Sequence, residues 1–139
     1  MARLEPHTVS AYNTAKQSEN KMHDAPVAPQ FGFTGGLVPG VDVYAYMSHA
    51  PVALWGRAFL ERGNMAGRFG KPIYDGDTAT VTAVEANGGL DIQIESRGVI
   101  CGTGHATLPA AVPAVSLNDF KLSTPPDNER RPTADEQSY

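Results

Sequence analysis

Alternating hydrophobic and polar side chains indicate β-structure in most of the chain after Gly63. Residues 90–95 (LDIQIE) alternate strictly between aliphatic and polar types, which is typical of a half-buried strand. The candidate strands in this region are 64–73, 78–86, 90–95 and 99–108. The turn signals that separate them are Tyr74-Asp75-Gly76-Asp77, Asn87-Gly88-Gly89 and Arg97-Gly98. This half of the chain therefore predicts three or four antiparallel strands.

The preceding part of the chain predicts a short strand and two helices. Residues 6–12 favour the strand, and residues 13–30 are mixed, with at most one helical turn. The segment 41–49 (VDVYAYMSH) is apolar around most of a helical circumference, and such a helix is usually buried. Pro51 suits the first turn of a second helix, which would run to about Arg62 and stop at Gly63.

These elements predict an α+β fold in which a curled antiparallel sheet wraps around the buried helix, because a sheet needs a cover on its apolar face. Small curled sheets expose their edge strands, and pairing with another copy protects them. We therefore expect at least a dimer.

Composition divides the chain near Ala110. The 139 residues, 41% of them hydrophobic, are enough for one domain, which we place at 1–109. Residues 110–139 form a Pro-rich extension that we expect to be partly docked, then extended or disordered from Ser123 onward. A loose alternation allows a short docked strand in this extension at Val115, Leu117, Phe120 and Leu122.

Charge and cysteine content exclude several classes of function. With 11 Lys and Arg against 15 Asp and Glu, the net charge of −4 argues against a general nucleic-acid binder. The single Cys101 has no internal disulfide partner, so a reducing compartment is expected. No apolar run approaches a membrane span, and the first residues lack the apolar segment of a signal peptide. We expect a cytoplasmic protein without a membrane span.

The first candidate for chemistry is the polar segment 18–24 (SENKMHD). His23 has a side chain whose ordinary pKa lies near neutrality, so it can transfer protons. Asn20, three residues earlier, would lie beside it on one turn and could fix its tautomer or bind a carbonyl. The alternative is a polar surface loop without a catalytic role.

The second candidate is the glycine-rich segment 31–40 (FGFTGGLVPG), which leads directly into the predicted buried helix. Backbone N–H groups at a helix start favour negative charge, so they could stabilise a thioester oxygen during reaction. The candidate substrate contacts in this segment are Gly36, Val38, Pro39 and Gly40, the last because a missing side chain allows close approach. The alternative is a tight loop that needs glycine for its backbone angles, and the segment is not a Walker phosphate loop.

The remaining polar groups are weaker candidates. A basic cluster could bind the phosphates of a carrier such as coenzyme A, although a solvated face explains it equally well; its members are Arg57, Arg62, Arg68 and Lys71. His49 would end the buried helix, where a cation suits the helix dipole, and His105 is expected to pack or to face solvent. No residues have metal-ligand spacing, so we expect no metal, and neither a Ser nor a Cys nucleophile motif is present.

Two motifs resemble the MaoC-like hydratases of the hotdog-fold superfamily. NKMH at 20–23, Ala28 and the segment 31–40 resemble the family pattern Asp-x-Asn-Pro-x-His, an Ala, an aromatic-Gly stretch and a Pro-Gly pair. RFGKPIYDGD at 68–77 resembles the F-x-x-P-V-x-x-G-D turn found downstream in the same proteins. The likeness spans about residues 5–109 and looks like a single half of a double-hotdog protein.

The resemblance implies a hotdog fold that acts on acyl thioesters of coenzyme A or a carrier protein, with no other cofactor. In such hydratases an Asp and a His add water to a 2-enoyl thioester or remove it. The His corresponds to His23, the Asn to Asn20 and the helix-start glycine to Gly40. The family's aspartate falls on Ser18, which cannot act as a carboxylate base.

Three functions follow from this comparison of motifs. The first is an enoyl-thioester hydratase or dehydratase with His23, Asn20 and the Gly40 amide, in which Ser18, Glu19 or a partner chain replaces the missing acid. The second is a non-catalytic subunit that holds an acyl thioester, as a homodimer or with a second hotdog chain. The third is thioester hydrolysis, for which Asp24 or Glu19 would supply the carboxylate.

Overall fold

The computed structural model describes residues 2–17, 35–124 and 133. In these ranges two helices and five strands follow one another, with a single turn of 3-10 helix near the end. In chain order they are β1 His7–Ser10, α1 Gly40–Trp55, α2 Arg57–Arg62, β2 Asn64–Phe69, β3 Thr78–Ala86, β4 Gly89–Ser96, β5 Val99–Thr107 and the 3-10 helix Leu117–Asp119.

The five strands form one antiparallel sheet in the order β1-β3-β4-β5-β2, and α1 packs across one face of it. Helix α1 contributes four buried residues to the core, Val43, Met47, Ala50 and Pro51. The facing sheet residues include Val81, Leu90, Ile92 and Ile94, each at most 2% exposed. The predicted α+β fold, with a curled sheet around a helix, is confirmed.

Two hairpin turns hold the central strands in register. Asn87 and Gly88 both have positive φ (51° and 74°), as do Arg97 and Gly98 (54° and 75°). Consecutive positive φ values match the right-handed twist of the strands that they connect. This register turns the aliphatic residues of 90–95 toward α1 and their polar neighbours toward solvent, as the alternation predicts.

The two predicted helices are divided at a different place from the one expected. Helix α1 continues through Pro51 to Trp55, and the break falls at Gly56, whose φ is 61°. Proline in a helix interior removes one hydrogen bond, but the Pro51 ring is fully buried, and its packing offsets that loss. His49 therefore lies inside α1 rather than at its end, so the expected interaction with the helix dipole is wrong.

Helix α1 is buried on one side only. Val41 is 76% exposed, and Tyr44, whose hydroxyl bonds the Met65 carbonyl in β2, is still 37% exposed. The sequence pattern predicts burial around most of the helix, and the described part of the chain buries only one side of it. An apolar helix face thus remains uncovered beside the outer edge of β2.

Two other predicted segments also differ from the structure. Strand β2 ends at Phe69 because the next two N–H groups, of Gly70 and Lys71, both turn toward the Cys101 carbonyl. In the extension, Ser116 and Asp119 form a reciprocal capping box around a 3-10 turn where a short strand was allowed. Its large side chains are exposed, with Leu117 at 85%. Most of the extension from Ser123 onward lies outside the described residues.

Candidate active site at the amino end of the long helix

The described part of the glycine-rich segment forms a short extra pairing against residues 73–75. The Val38 N–H donates to the Ile73 carbonyl (2.9 Å), and the Gly36 carbonyl accepts from the Asp75 N–H (2.9 Å). Gly36 and Val38 are both buried. Of the four substrate contacts suggested in this segment, these two therefore support the loop from within, while Pro39 and Gly40 reach the surface.

Helix α1 begins without a side-chain cap. The Pro39 carbonyl accepts from the N–H groups of Asp42 (3.0 Å) and Val43 (3.2 Å). Within the described ranges, the N–H groups of Gly40 and Val41 have no hydrogen-bond partner, as is usual for the first residues of a helix. Two backbone donors and the positive end of the helix dipole thus meet at one exposed point.

The space around Gly40 does not itself require glycine. A Cβ atom built on Gly40 would lie 3.6 Å from the Phe69 ring, which is an ordinary van der Waals distance. Gly104 is more confined, since a Cβ there would lie 2.8 Å from the Met47 methyl and 3.0 Å from the Ala66 carbonyl oxygen. Gly40 therefore leaves room at the surface rather than in the core.

A second loop, residues 11–17, is fixed to the turn at 74–77. Asp75 accepts from the Asn13 N–H (2.8 Å) and from the Lys16 ammonium group (2.9 Å). Both interactions favour the charged carboxylate, so they lower the pKa of Asp75, with the Asn13 bond as the larger cause. Asn13 is itself 1% exposed. These bonds therefore fix the loop close to Gln17, the last described residue before the gap at 18–34.

Two contacts join the same loop to α1. The Thr14 hydroxyl donates to Asp42 Oδ2 (2.5 Å), and the Tyr12 N–H donates to the Tyr46 hydroxyl (3.2 Å). Asp42 thus places a carboxylate in the first turn of α1, two residues after Gly40. The sequence motifs do not single out Asp42; the available signal was that it is the one acidic residue in the first turn of α1.

The predicted proton-transfer residues Ser18, Asn20 and His23 lie outside the described residues, as do Glu19 and Asp24. Their segment leaves the described chain at Gln17 and re-enters it at Gly35, five residues before the start of α1. Their roles remain predictions.

Arg68 does not approach Gly40 within one chain. The neighbouring Phe69 contacts the helix side at Gly40 and Gly102, so alternation along β2 turns Arg68 to the opposite face of the sheet. There it lines a shallow groove with Gln93 and Thr103.

Two other members of the basic cluster, Arg57 and Arg62, have partners on or near α2. Arg57 pairs with Glu61 along α2 (2.7 Å), and Arg62 donates to the Pro109 carbonyl (2.9 Å). Arg57, Arg62 and Arg68 thus have separate surroundings and do not form one phosphate site.

The remaining histidines and the cysteine have other surroundings. His105 Nδ1 lies 2.7 Å from Asp91 Oδ1 on the outer face of the sheet. The rings of His7 and His49 stack between β1 and α1, with their centroids 3.5 Å apart. Cys101 is buried, and burial raises the pKa of its thiol, so it lacks thiolate character. Among the described residues no cluster of three metal-binding side chains occurs.

Comparison with known proteins places the architecture among hotdog folds. No family model matches the chain, and no curated protein matches it by sequence. Among solved structures, a chain of the ChsH1-ChsH2 complex from Mycobacterium tuberculosis is similar, with a TM-score of 0.61, 15% identity, and coverage of 78% of this chain and 96% of that one.

Two further structures show the same fold. A MaoC-like dehydratase from Phytophthora capsici has a TM-score of 0.61 at 20% identity, covering 76% of this chain but only 42% of its own. An R-hydratase from Pseudomonas aeruginosa, solved without ligand, has a TM-score of 0.58 at 17% identity, covering 84% of this chain and 90% of its own. The protein thus has the hotdog fold that the motifs implied. In the described ranges no helix has the length and apolar character that crossing a bilayer requires.

Proposed function

From the hotdog fold that this chain shares with MaoC-like dehydratases and (R)-hydratases, we propose that it binds an acyl thioester at the amino end of α1. The observation that carries this proposal is the pair of free N–H groups at Gly40 and Val41, beside a surface left open by the missing Gly40 side chain. The thioester carbonyl oxygen would accept from these donors. The thiol part of the substrate would belong to coenzyme A or to a carrier protein.

The proposed reaction is reversible addition of water to a 2-enoyl thioester. The water oxygen bonds to C3 and a proton is delivered to C2, so the double bond is lost and a 3-hydroxyacyl thioester forms. Negative charge develops on the thioester oxygen along the way, and the helix-start donors stabilise that charge more than they stabilise the neutral carbonyl. His23 would transfer the proton, and Asn20 would orient the His23 imidazole or bind the thioester carbonyl.

Local anchoring supports a role for the segment that carries these residues. The loop before it is fixed by Asn13 and Lys16 to Asp75 and by Thr14 to Asp42. His23 is six residues beyond Gln17, so chain connectivity keeps it within roughly 20 Å of that anchor. The proposed acid and base groups therefore belong to a segment tied at both ends near the start of α1.

The carboxylate that the family supplies at position 18 must come from elsewhere, since Ser18 cannot provide it. Asp42 is a candidate within the chain, because its Oδ2 accepts from Thr14 and no described residue bonds its Oδ1. A carboxylate from a second chain is the other source. A homodimer formed over the amino end of α1, where Val41 and Phe69 are exposed beside the edge strand β2, would bring such a carboxylate close to the site.

The alternative proposal is a non-catalytic subunit that holds the acyl thioester. Ser18 at the aspartate position favours it, and so does the likeness to a chain from a complex of two proteins. The limited coverage of the Phytophthora dehydratase also matches one half of a longer, two-part protein. In this case the chain would bind acyl-coenzyme A without converting it, as a homodimer or beside a catalytic hotdog partner.

Hydration assays with purified protein separate these proposals. Wild type, His23→Ala and Ser18→Asp would be given a short and a medium 2-enoyl-coenzyme A, with the loss of the conjugated double bond as the readout. The hydratase proposal expects His23→Ala to reduce the rate by about a hundredfold or more. Equal rates in wild type and His23→Ala would rule out the proposed mechanism.

The same experiment tests the binding role. Thermal stabilisation by acyl-coenzyme A without turnover, followed by new activity in Ser18→Asp, would support the non-catalytic subunit. Release of free thiol instead of hydration would indicate thioester hydrolysis. Absence of stabilisation by any acyl thioester would contradict both the hydratase and the binding proposal.

A further inference from the structure

The second half of α1 carries a feature that the proposed reaction does not use. His49 stacks on His7 of β1, with ring centroids 3.5 Å apart and ring planes inclined by 8°. The pair lies at a cavity of about 270 Å³ between the first residues of the chain, α1 and β3. His49 is nine residues, or about 13 Å of helix, beyond Gly40.

Strand β1 is short, and the loop that follows it is fixed by Asn13 to Asp75 and by Thr14 to Asp42. The strand itself is a four-residue edge strand that pairs only with β3. The residues before it continue that pairing, since the Leu4 N–H donates to the Ala83 carbonyl (3.0 Å). Leu4 and Val9 pack partly against the core. The imidazole stack is therefore one of the contacts that join β1 to α1.

His49 is exposed on one side and His7 is partly buried, and the described protein groups around them carry little negative charge. Among the described residues that line the cavity, the wall from β3 is Val81 and Ala83, and the wall from α1 beyond His49 is Ala50, Ala53 and Leu54. Glu5 is the one charged residue among the described lining residues. It lies on the N-terminal segment itself, so it moves with the strand.

We propose that the His7–His49 stack is an acid-sensitive latch that holds β1, and with it one wall of the cavity, against α1. Two neutral rings can lie face to face at this distance, whereas two imidazolium rings repel each other. Acidification thus favours separation of β1 from the helix and opens the cavity from its N-terminal side. This inference does not depend on the proposed reaction.

The direction of the effect follows from proton linkage. Partial burial, and then the neighbouring His7, lower the pKa of His49 below its ordinary value of 6.5. When β1 leaves, His49 regains its ordinary pKa, so the undocked state binds more protons. The free energy that favours docking of β1 on α1 is therefore largest above about pH 6.5. It decreases as the pH falls from there toward the lower pKa that His49 has in the docked state.

Amide hydrogen exchange of the full chain, expressed as protection factors between pH 7.5 and 5, tests the latch. The reporters are the amides of Leu4 and Ala11, which donate to Ala83 and Asp77 on either side of β1. The expected result is loss of protection at these amides on acidification while Ile92, in the centre of the sheet, keeps its protection. Because the ring signals of His7 and His49 report protonation directly, their NMR titration is followed in the same samples.

Two variants separate the latch from a general acid effect. His49→Gln cannot be protonated and is expected to remove the pH dependence at Leu4 and Ala11. His105→Gln, on the opposite face of the sheet, is the matched control and is expected to leave it unchanged. The latch is overturned if wild-type protection is the same at both pH values, if His49→Gln retains the dependence, if His105→Gln loses it, or if Ile92 is exposed in parallel.

Discussion

The Thr14 hydroxyl donates a 2.5 Å hydrogen bond to Asp42 Oδ2 and so connects the loop after β1 to the first turn of α1. The two residues are 28 positions apart, and the segment that carries Ser18, Asn20 and His23 begins just after Thr14. One hydrogen bond therefore joins the two parts of the proposed site: the donors at the start of α1 and the chain that leads to the proton-transfer group.

Substitutions at this contact distinguish positioning from catalysis. Thr14→Val removes the hydroxyl at an exposed contact, so we expect a loss of stability of about 1 kcal/mol or less. Enoyl-thioester binding should weaken while kcat changes little, which steady-state kinetics would show as a raised KM. If Asp42 supplies the missing carboxylate, Asp42→Asn should lower kcat far more than Thr14→Val does. Equal effects of the two variants on kcat would argue that Asp42 only holds the loop.

A matched pair of glycine substitutions tests the thioester site. Gly40→Ala meets only ordinary contacts with Phe69, so the thermal midpoint should be unchanged or slightly raised. Acyl-coenzyme A binding should nevertheless fall, because the new methyl group occupies the space beside the free N–H groups. Gly104→Ala should show the reverse, a destabilisation of about 1–3 kcal/mol from the collision with Met47 and the Ala66 carbonyl. Unimpaired ligand binding by Gly40→Ala would remove the helix start from the proposed site.

Asp75 gives the protein a specific sensitivity to acid. Its pKa is lowered in the folded chain by Asn13 and Lys16, so its stabilising effect is present above its ordinary pKa of 3.8 and is lost as the pH falls below that value. Asp75→Asn should cost about 1 kcal/mol at neutral pH, since the side chain is partly solvated. Urea unfolding as a function of pH should show a flatter acid limb for the variant. An identical acid limb in both proteins would mean that other carboxylates govern acid unfolding.

The uncovered face of α1 leads to a prediction about assembly. Val41 is 76% exposed beside Tyr44, whose hydroxyl donates to the Met65 carbonyl on the edge strand β2. If a second copy covers this face, Val41→Asp would bury an unpaired charge and should weaken dimerisation by about tenfold or more. Sedimentation velocity across a concentration range measures this change.

The control for the assembly experiment is Leu60→Asp. Leu60 is 71% exposed on α2, so it matches Val41 in type and exposure but lies on a different helix. It should leave dimerisation unchanged. A protein that sediments as a monomer at all concentrations, or a Val41→Asp variant that dimerises like wild type, would contradict an interface at this face.

Local patterns were most informative where one residue type determines a backbone conformation or where one face of a strand is buried. Asn87-Gly88 and Arg97-Gly98 were expected as turns, and both adopt positive φ values. Residues 90–95 alternate as expected because the pleat of a strand turns successive side chains to opposite faces. These features depend on neighbours in the chain, so they are readable without knowledge of the fold.

Features that depend on contacts between distant residues could not be predicted from the sequence alone. Pro51 marks a helix start by local rules, but its burial in the core lets α1 continue past it. Arg68 was grouped with the substrate contacts because of its charge, and only the pleat of β2 against β5 shows that it faces away from Gly40. Asp42 became a candidate site residue only because the structure shows its contact with Thr14.

The sequence by itself determined the strands with their turns, the apolar helix and two motifs in an order that indicates the hotdog fold. Hydrophobic periodicity and turn chemistry act over a few residues, so they can be identified from the sequence alone. The tertiary structure decided which loop meets the start of α1, which side chains share a face and which face of the helix stays uncovered. These outcomes depend on packing between segments that are 20 to 60 residues apart, and no local pattern encodes such distances.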